Sequence, residues 1–67
     1  MITIYVNKKA IELKANSTIL QLLQQINSPL KGIAVAIQET IIPNANWKTQ
    51  QLKQNDNVLI IQATQGG

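Results

Sequence analysis

The amino-acid sequence predicts an α+β fold, a five-stranded mixed sheet with one main helix packed on one face. Three observations lead there. Apolar residues alternate with period two at the start of the chain and again in its last strand-like run. Between them lies a single stretch with helical spacing, over 18–27. The chain has 67 residues and no Cys, so it is expected to be one domain, 1–67, with a small core and no disulfide framework.

The elements follow in order. In "MITIYV", Ile2, Ile4 and Val6 share one side, and Thr3 and Tyr5 share the other. In "AIELK", Ile11 and Leu13 alternate with Ala10, Glu12 and Lys14. Asn7 tolerates positive φ, so a tight turn at Asn7-Lys8 joins the two runs into an antiparallel hairpin with one buried face. In "NSTILQLLQQINSPLKG", Thr18 is a good N-cap and Gln21, three residues on, completes a capping box. Ile19, Leu22, Leu23 and Ile26 form one helical face. Pro29 disfavours helix at Ser28, so the helix is expected to end near Asn27 after about two and a half turns. A helix that short does not stand alone and must lie on a sheet.

"IAVAI" and "TIIP" read as two short strands joined by a tight polar turn at Gln38-Glu39. Pro43 closes the second and places it at an edge. "NANWKTQQL" is irregular, anchored by Trp47 and Leu52. "QNDN" is a turn in which Asn55 takes the left-handed conformation, and "VLIIQA" is the last strand. The order is ββ-α-ββ-β, and right-handed crossover logic lays the helix over one face. That face is lined by Ile2, Ile4, Val6, Ile11, Leu13, Val35, Ile37, Val58 and Ile60. Five short strands with one diagonal helix make the β-grasp arrangement, in which the first and last strands lie side by side, parallel, at the centre.

Composition excludes several function classes. There is no His, the commonest metal ligand and the side chain best suited to proton transfer near neutral pH, so Ser17 and Ser28 have no imidazole to activate them. Gly32 stands alone, without a glycine-rich phosphate loop. The acids Glu12, Glu39 and Asp56 fall in separate segments, and acid–base work would require two of them to converge. Lys8, Lys9 and Lys14 are expected near the first hairpin, either touching phosphate or an acidic partner or simply solvated. With six Lys, no Arg and only Tyr5 and Trp47 as aromatics, the chain lacks the footprint of a nucleic-acid binder. Its longest aliphatic stretch, 33–37, is far short of the about 20 residues that a bilayer span needs, and no leader-like segment opens the chain. The expectation is a soluble intracellular protein with no metal site.

Three features remain. Trp47 is either a partner anchor or the closure of a small core, and the core role is favoured because large aromatics dominate small cores. If Val58 and Ile60 face the helix, Leu59 and Ile61 face the uncovered side, and Tyr5 on the neighbouring strand joins them. That patch is either a partner-binding surface or incidental exposure. The third feature is the tail. Only three residues are Gly, yet two of them are Gly66-Gly67. At an average glycine usage of about 7%, that pairing is roughly a 0.5% event by chance. Residues without Cβ can lie extended in a narrow channel, with 64–67 as a flexible tether. The reactive group would be the α-carboxylate of Gly67, presented by Gly66. A carboxylate is a poor electrophile and needs ATP and Mg²⁺ to activate it. This chain has nothing to bind them, so a partner must.

Over nearly its whole length the chain resembles the ThiS family, ubiquitin-like sulfur carriers of thiamin biosynthesis. The residues that carry the resemblance are "STILQLL", "AVAIQETIIPNANW" with Pro43 and Trp47, "LKQNDNVLIIQATQGG" with Asp56 before the last strand, and the diglycine. The chain departs from the family where Gln38-Glu39 replaces an Asn-Gly-like turn, where Asn44 replaces a basic residue, and where Asn55 replaces Gly. The resemblance implies a carrier and co-substrate, not an enzyme. A ThiF-like enzyme would adenylate Gly67. A cysteine desulfurase, directly or through a carrier, would supply sulfur. Thiazole synthase (ThiG) would take the sulfur from the Gly67 thiocarboxylate. It also implies a monomer when free, in bacterial cytoplasm or plastid stroma. Three other readings share features with this one: the small subunit of molybdopterin synthase, a ubiquitin-like modifier, and an interaction module whose tail is incidental.

Overall fold

A computed structural model describes residues 1–62; Ala63 and the predicted tail 64–67 lie outside the described residues. The order is β1 (Ile2–Val6), β2 (Lys9–Leu13), α1 (Ile19–Gln25), β3 (Ile33–Ile37), β4 (Thr40–Ile42), a 3₁₀ turn (Asn44–Asn46) and β5 (Asn57–Gln62). The strands form one mixed sheet in the order β2-β1-β5-β3-β4. β5 lies between β1, to which it is parallel, and β3, to which it is antiparallel. This is the expected β-grasp topology, with β4 at an edge where Pro43 ends it.

Packing follows the apolar spacing. Ile19, Leu22 and Leu23 of α1 are fully buried. They meet Ile4, Val6, Leu13, Val35, Ile37 and Val58, with Ile2, Ile11 and Ile60 partly buried around them. All nine residues expected on the covered face are there. Trp47 is 4% exposed, and its indole N–H donates to the Ile42 carbonyl at 3.0 Å, so it closes the core under the irregular segment. Leu52 is buried beside it in the same cluster.

The helix is bounded by hydrogen bonds that the sequence half announces. The capping box forms: the Gln21 amide donates to Thr18 Oγ1 at 3.3 Å, and the Thr18 amide donates to Gln21 Oε1 at 2.8 Å. The C-terminus comes about two residues earlier than Pro29 alone would set it. Asn27 adopts φ 57, its N–H donates to the Gln24 carbonyl, and the Ser28 N–H donates to the Leu23 carbonyl. This is the Schellman pattern with Asn in the left-handed position, so backbone pairing stops the helix before the proline does.

Both hairpin turns carry two successive positive-φ residues: Asn7 (50) with Lys8 (72), and Gln38 (51) with Glu39 (70). This matches the tight two-residue connection whose twist suits antiparallel strands, and it normally calls for Asn and Gly. Lys8, Gln38 and Glu39 therefore occupy a region that disfavours a Cβ, at roughly 1 kcal/mol each. Asn55 takes φ 71 as expected and donates its N–H to the Thr3 carbonyl at 2.7 Å.

Two substitutions check these local terms by urea unfolding. Thr18→Ala removes the cap and should cost about 1 kcal/mol. Glu39→Gly should stabilise by up to about 1 kcal/mol, since relief of left-handed strain exceeds the entropy glycine adds to the unfolded chain.

Candidate functional site

Parity along the strands decides which side chains the helix leaves uncovered. Tyr5 lies opposite Asn57 in the parallel β1–β5 pair, so Tyr5, Asn57, Leu59 and Ile61 share the face away from α1. In the β5–β3 pair Leu59 is opposite Ala36 and Ile61 opposite Ala34; in the β3–β4 pair Ala36 is opposite Ile41. Tyr5, Leu59, Ala36 and Ile41 therefore run across four strands as one apolar band, with Ala34 and Ile61 beside it. Exposures are 38% for Tyr5, 49% for Leu59, 45% for Ile61 and 59% for Ile41. The three patch residues expected from the sequence are brought together. Ile41 extends the patch to the edge strand. Its signal was available, since two adjacent isoleucines in "TIIP" must point to opposite sides of a short strand.

The band is interrupted only by small residues. Ala34 and Ala36 on β3 set a low floor between Leu59 on one side and Ile41 on the other. A shallow cleft of ≈ 500 Å³ indents the same face beside Tyr5 and Leu59, with Lys8 and Glu39 among its walls. The open face thus combines an apolar centre with a lysine and a glutamate at one end.

The charged residues do not assemble a second site. Lys8 and Lys9 lie at the β1–β2 turn, but Lys14 follows the far end of β2, roughly 16 Å along an extended strand, so the expected three-lysine cluster does not form. Asp56 serves its own turn: its carboxylate accepts the Lys53 N–H at 2.8 Å, and its carbonyl accepts the Tyr5 N–H at 2.9 Å. Among the described residues no group of His, Cys, Asp or Glu is placed to hold a metal ion. Ser17 is buried, and its hydroxyl donates to the Lys14 carbonyl at 2.7 Å. No helix among the described residues is long and apolar enough to cross a membrane.

Gly66 and Gly67 lie outside the described residues. What is described is the strand that precedes them. β1 pairs with β5 only through Tyr5↔Asn57 and Val6↔Val58, whereas β3 pairs with it as far as Ile33↔Gln62. β5 thus runs past the end of β1 before the chain passes to residue 63.

Comparison with known proteins gives the same picture. The model of the ThiS family matches residues 2–67. The sulfur carrier protein ThiS of Escherichia coli (strain K12) is 31% identical over 61 residues, covering 91% of this chain and 92% of that one. The crystal structure of the thiamine biosynthesis protein ThiS from Geobacter metallireducens superposes with a TM-score of 0.84 at 16% identity, covering 98% of this chain and 100% of that one. That structure shares the fold, and the family match spans nearly every residue from the first strand to the diglycine. The chain belongs to the ThiS family of sulfur carriers.

Proposed function

We propose that this protein carries sulfur for thiazole formation in thiamin biosynthesis, on the α-carboxylate of Gly67. The observation that carries the reading is the family match through residue 67, on a fold whose central strand leads directly toward the diglycine. A single ubiquitin-like unit, 1–67, supplies recognition, and 64–67 is its tail. A ThiF-like partner binds ATP and Mg²⁺; the Gly67 carboxylate attacks the α-phosphorus and pyrophosphate leaves. Persulfide sulfur, originating at a cysteine desulfurase, displaces AMP to give an acyl disulfide with the donor, and a second thiol then cleaves the S–S bond, releasing the thiocarboxylate and leaving a donor disulfide. Thiazole synthase then takes the sulfur. Gly66 and Gly67 suit this chemistry because a chain without Cβ fits a narrow channel to a partner's active centre. The setting is bacterial cytoplasm or plastid stroma, with a monomer between encounters.

The patch of Tyr5, Leu59 and Ile61, widened by Ile41, is the surface that partners grip in this reading. It supplies the apolar area that a short tail lacks, and Lys8 and Glu39 orient the docking.

Incubation with the activating enzyme, ATP, a desulfurase and cysteine should raise the intact mass by the difference between a sulfur and an oxygen atom. The gain should map to Gly67 by C-terminal peptide analysis. An unchanged mass, with a control carrier responding in the same mixture, refutes the reading. Deleting Gly66 and Gly67 should abolish the gain while leaving the unfolding curve unaltered. Leu59→Asp, at a half-exposed position, should weaken binding to the activating enzyme about tenfold or more while changing stability by less than about 1 kcal/mol. Equal binding by the folded variant counts against the patch.

A further inference from the structure

Among the described residues, β5 has no strand on its β1 side beyond Val58, because β1 ends at Val6 and the chain turns away at Asn7-Lys8. The vacant ladder position is filled by one side chain. Asn7 Oδ1 accepts the Ile60 N–H at 2.8 Å, and Asn7 Nδ2 donates to the Ile60 carbonyl at 3.3 Å. The Asn7 backbone N–H also donates to the Val58 carbonyl at 2.9 Å. A primary amide presents the same donor and acceptor as a peptide group, so Asn7 acts as one extra residue of β1. The turn alone accounts for the φ of 50 at Asn7, but not for an amide aimed at β5.

We propose that Asn7 is a positioning residue for the C-terminal segment. Its amide holds the outer edge of β5 at Ile60, two residues before the last described position, and so sets the direction in which the strand delivers the chain toward Gly67. The functional part of this inference rests on the carrier reading above. Position 7 is selected because it must meet two demands at once: a left-handed backbone and a short side chain with both a donor and an acceptor. Asn meets both. Gly meets only the first, and Asp lacks the donor.

The full-length chain tests it through Asn7→Gly and Asn7→Asp. Gly keeps the turn and removes the amide; Asp keeps shape and acceptor but turns an oxygen toward the Ile60 carbonyl. Exchange of the Ile60 amide hydrogen, referenced to the Leu22 amide in the core, should speed up about fivefold or more in Asn7→Gly, the factor that one typical hydrogen bond supplies. With the activating enzyme and ATP, both variants should lose kcat for adenylation severalfold, because the carboxylate arrives less often; Asn7 also borders the open-face cleft, so KM is read beside kcat, and a loss confined to KM overturns the positioning role. Thr18→Ala is the control for stability alone: it weakens the fold at the helix start and should leave kcat as it is. If the Asn7 variants adenylate with the wild-type kcat, or if Ile60 exchange does not change, the inference is overturned. Should Asn7→Gly fail to fold, Asn7→Asp decides by the same kcat comparison. If the wild-type chain is itself never adenylated, the carrier reading fails and the functional role of Asn7 fails with it, while the exchange measurement still reports on the clamp.

Discussion

The burial of Ile19, Leu22 and Leu23 against one side of the sheet is the interaction from which the remaining features follow. A seven-residue helix is too short to persist in water unless it is packed, and one such helix can cover only one face of five strands. Each fully buried aliphatic side chain contributes about 1.5–3 kcal/mol, which is large beside the thin margin of a domain this small. The other face is left without a layer. Its residues are the ones the strands could not hide, and they form a band rather than scattered points because Leu59, Ala36 and Ile41 fall into lateral register, with Tyr5 on the same face one step diagonally from Leu59.

The position of β5 turns that constraint into a means of presentation. A last strand at the edge of the sheet would be held from one side and could fray with whatever follows it. Here β5 starts between two strands, at Asn57 and Val58, continues on β3 alone, and receives side-chain amides from both hairpin turns. Gln38 Oε1 accepts the Asn57 N–H at 2.6 Å where the strand begins, and Asn7 pairs with Ile60 further along. Two turns that pay backbone strain for their positive φ thus return hydrogen bonds to the last described strand.

Much of this was legible in the residues themselves. Alternation in "MITIYV" and "VLIIQA", helical spacing in "STILQLL" and the paucity of charged side chains suffice for the element order and the covered face, because burial selects one set of side chains in each element. Other features were not legible. The helix stops where Asn27 allows a reversed hydrogen bond to Leu23, a choice that Pro29 alone does not reveal. Lys14 looked like a neighbour of Lys8 and Lys9 by sequence distance, but an extended strand carries it to the opposite end of the hairpin. The adjacent isoleucines of "TIIP" show that one of them faces the open side, but that it is Ile41 follows only from the β3–β4 register.

The sequence by itself determined the fold class and the family, because periodic burial and the family's motifs are properties of the residues in order. Only the tertiary structure decided that β5 outruns β1, that the amide of Asn7 fills the gap, and that the apolar band reaches β4. Those outcomes depend on the stagger between strands far apart in sequence, and register is set by hydrogen bonds and packing across the sheet rather than by any one segment.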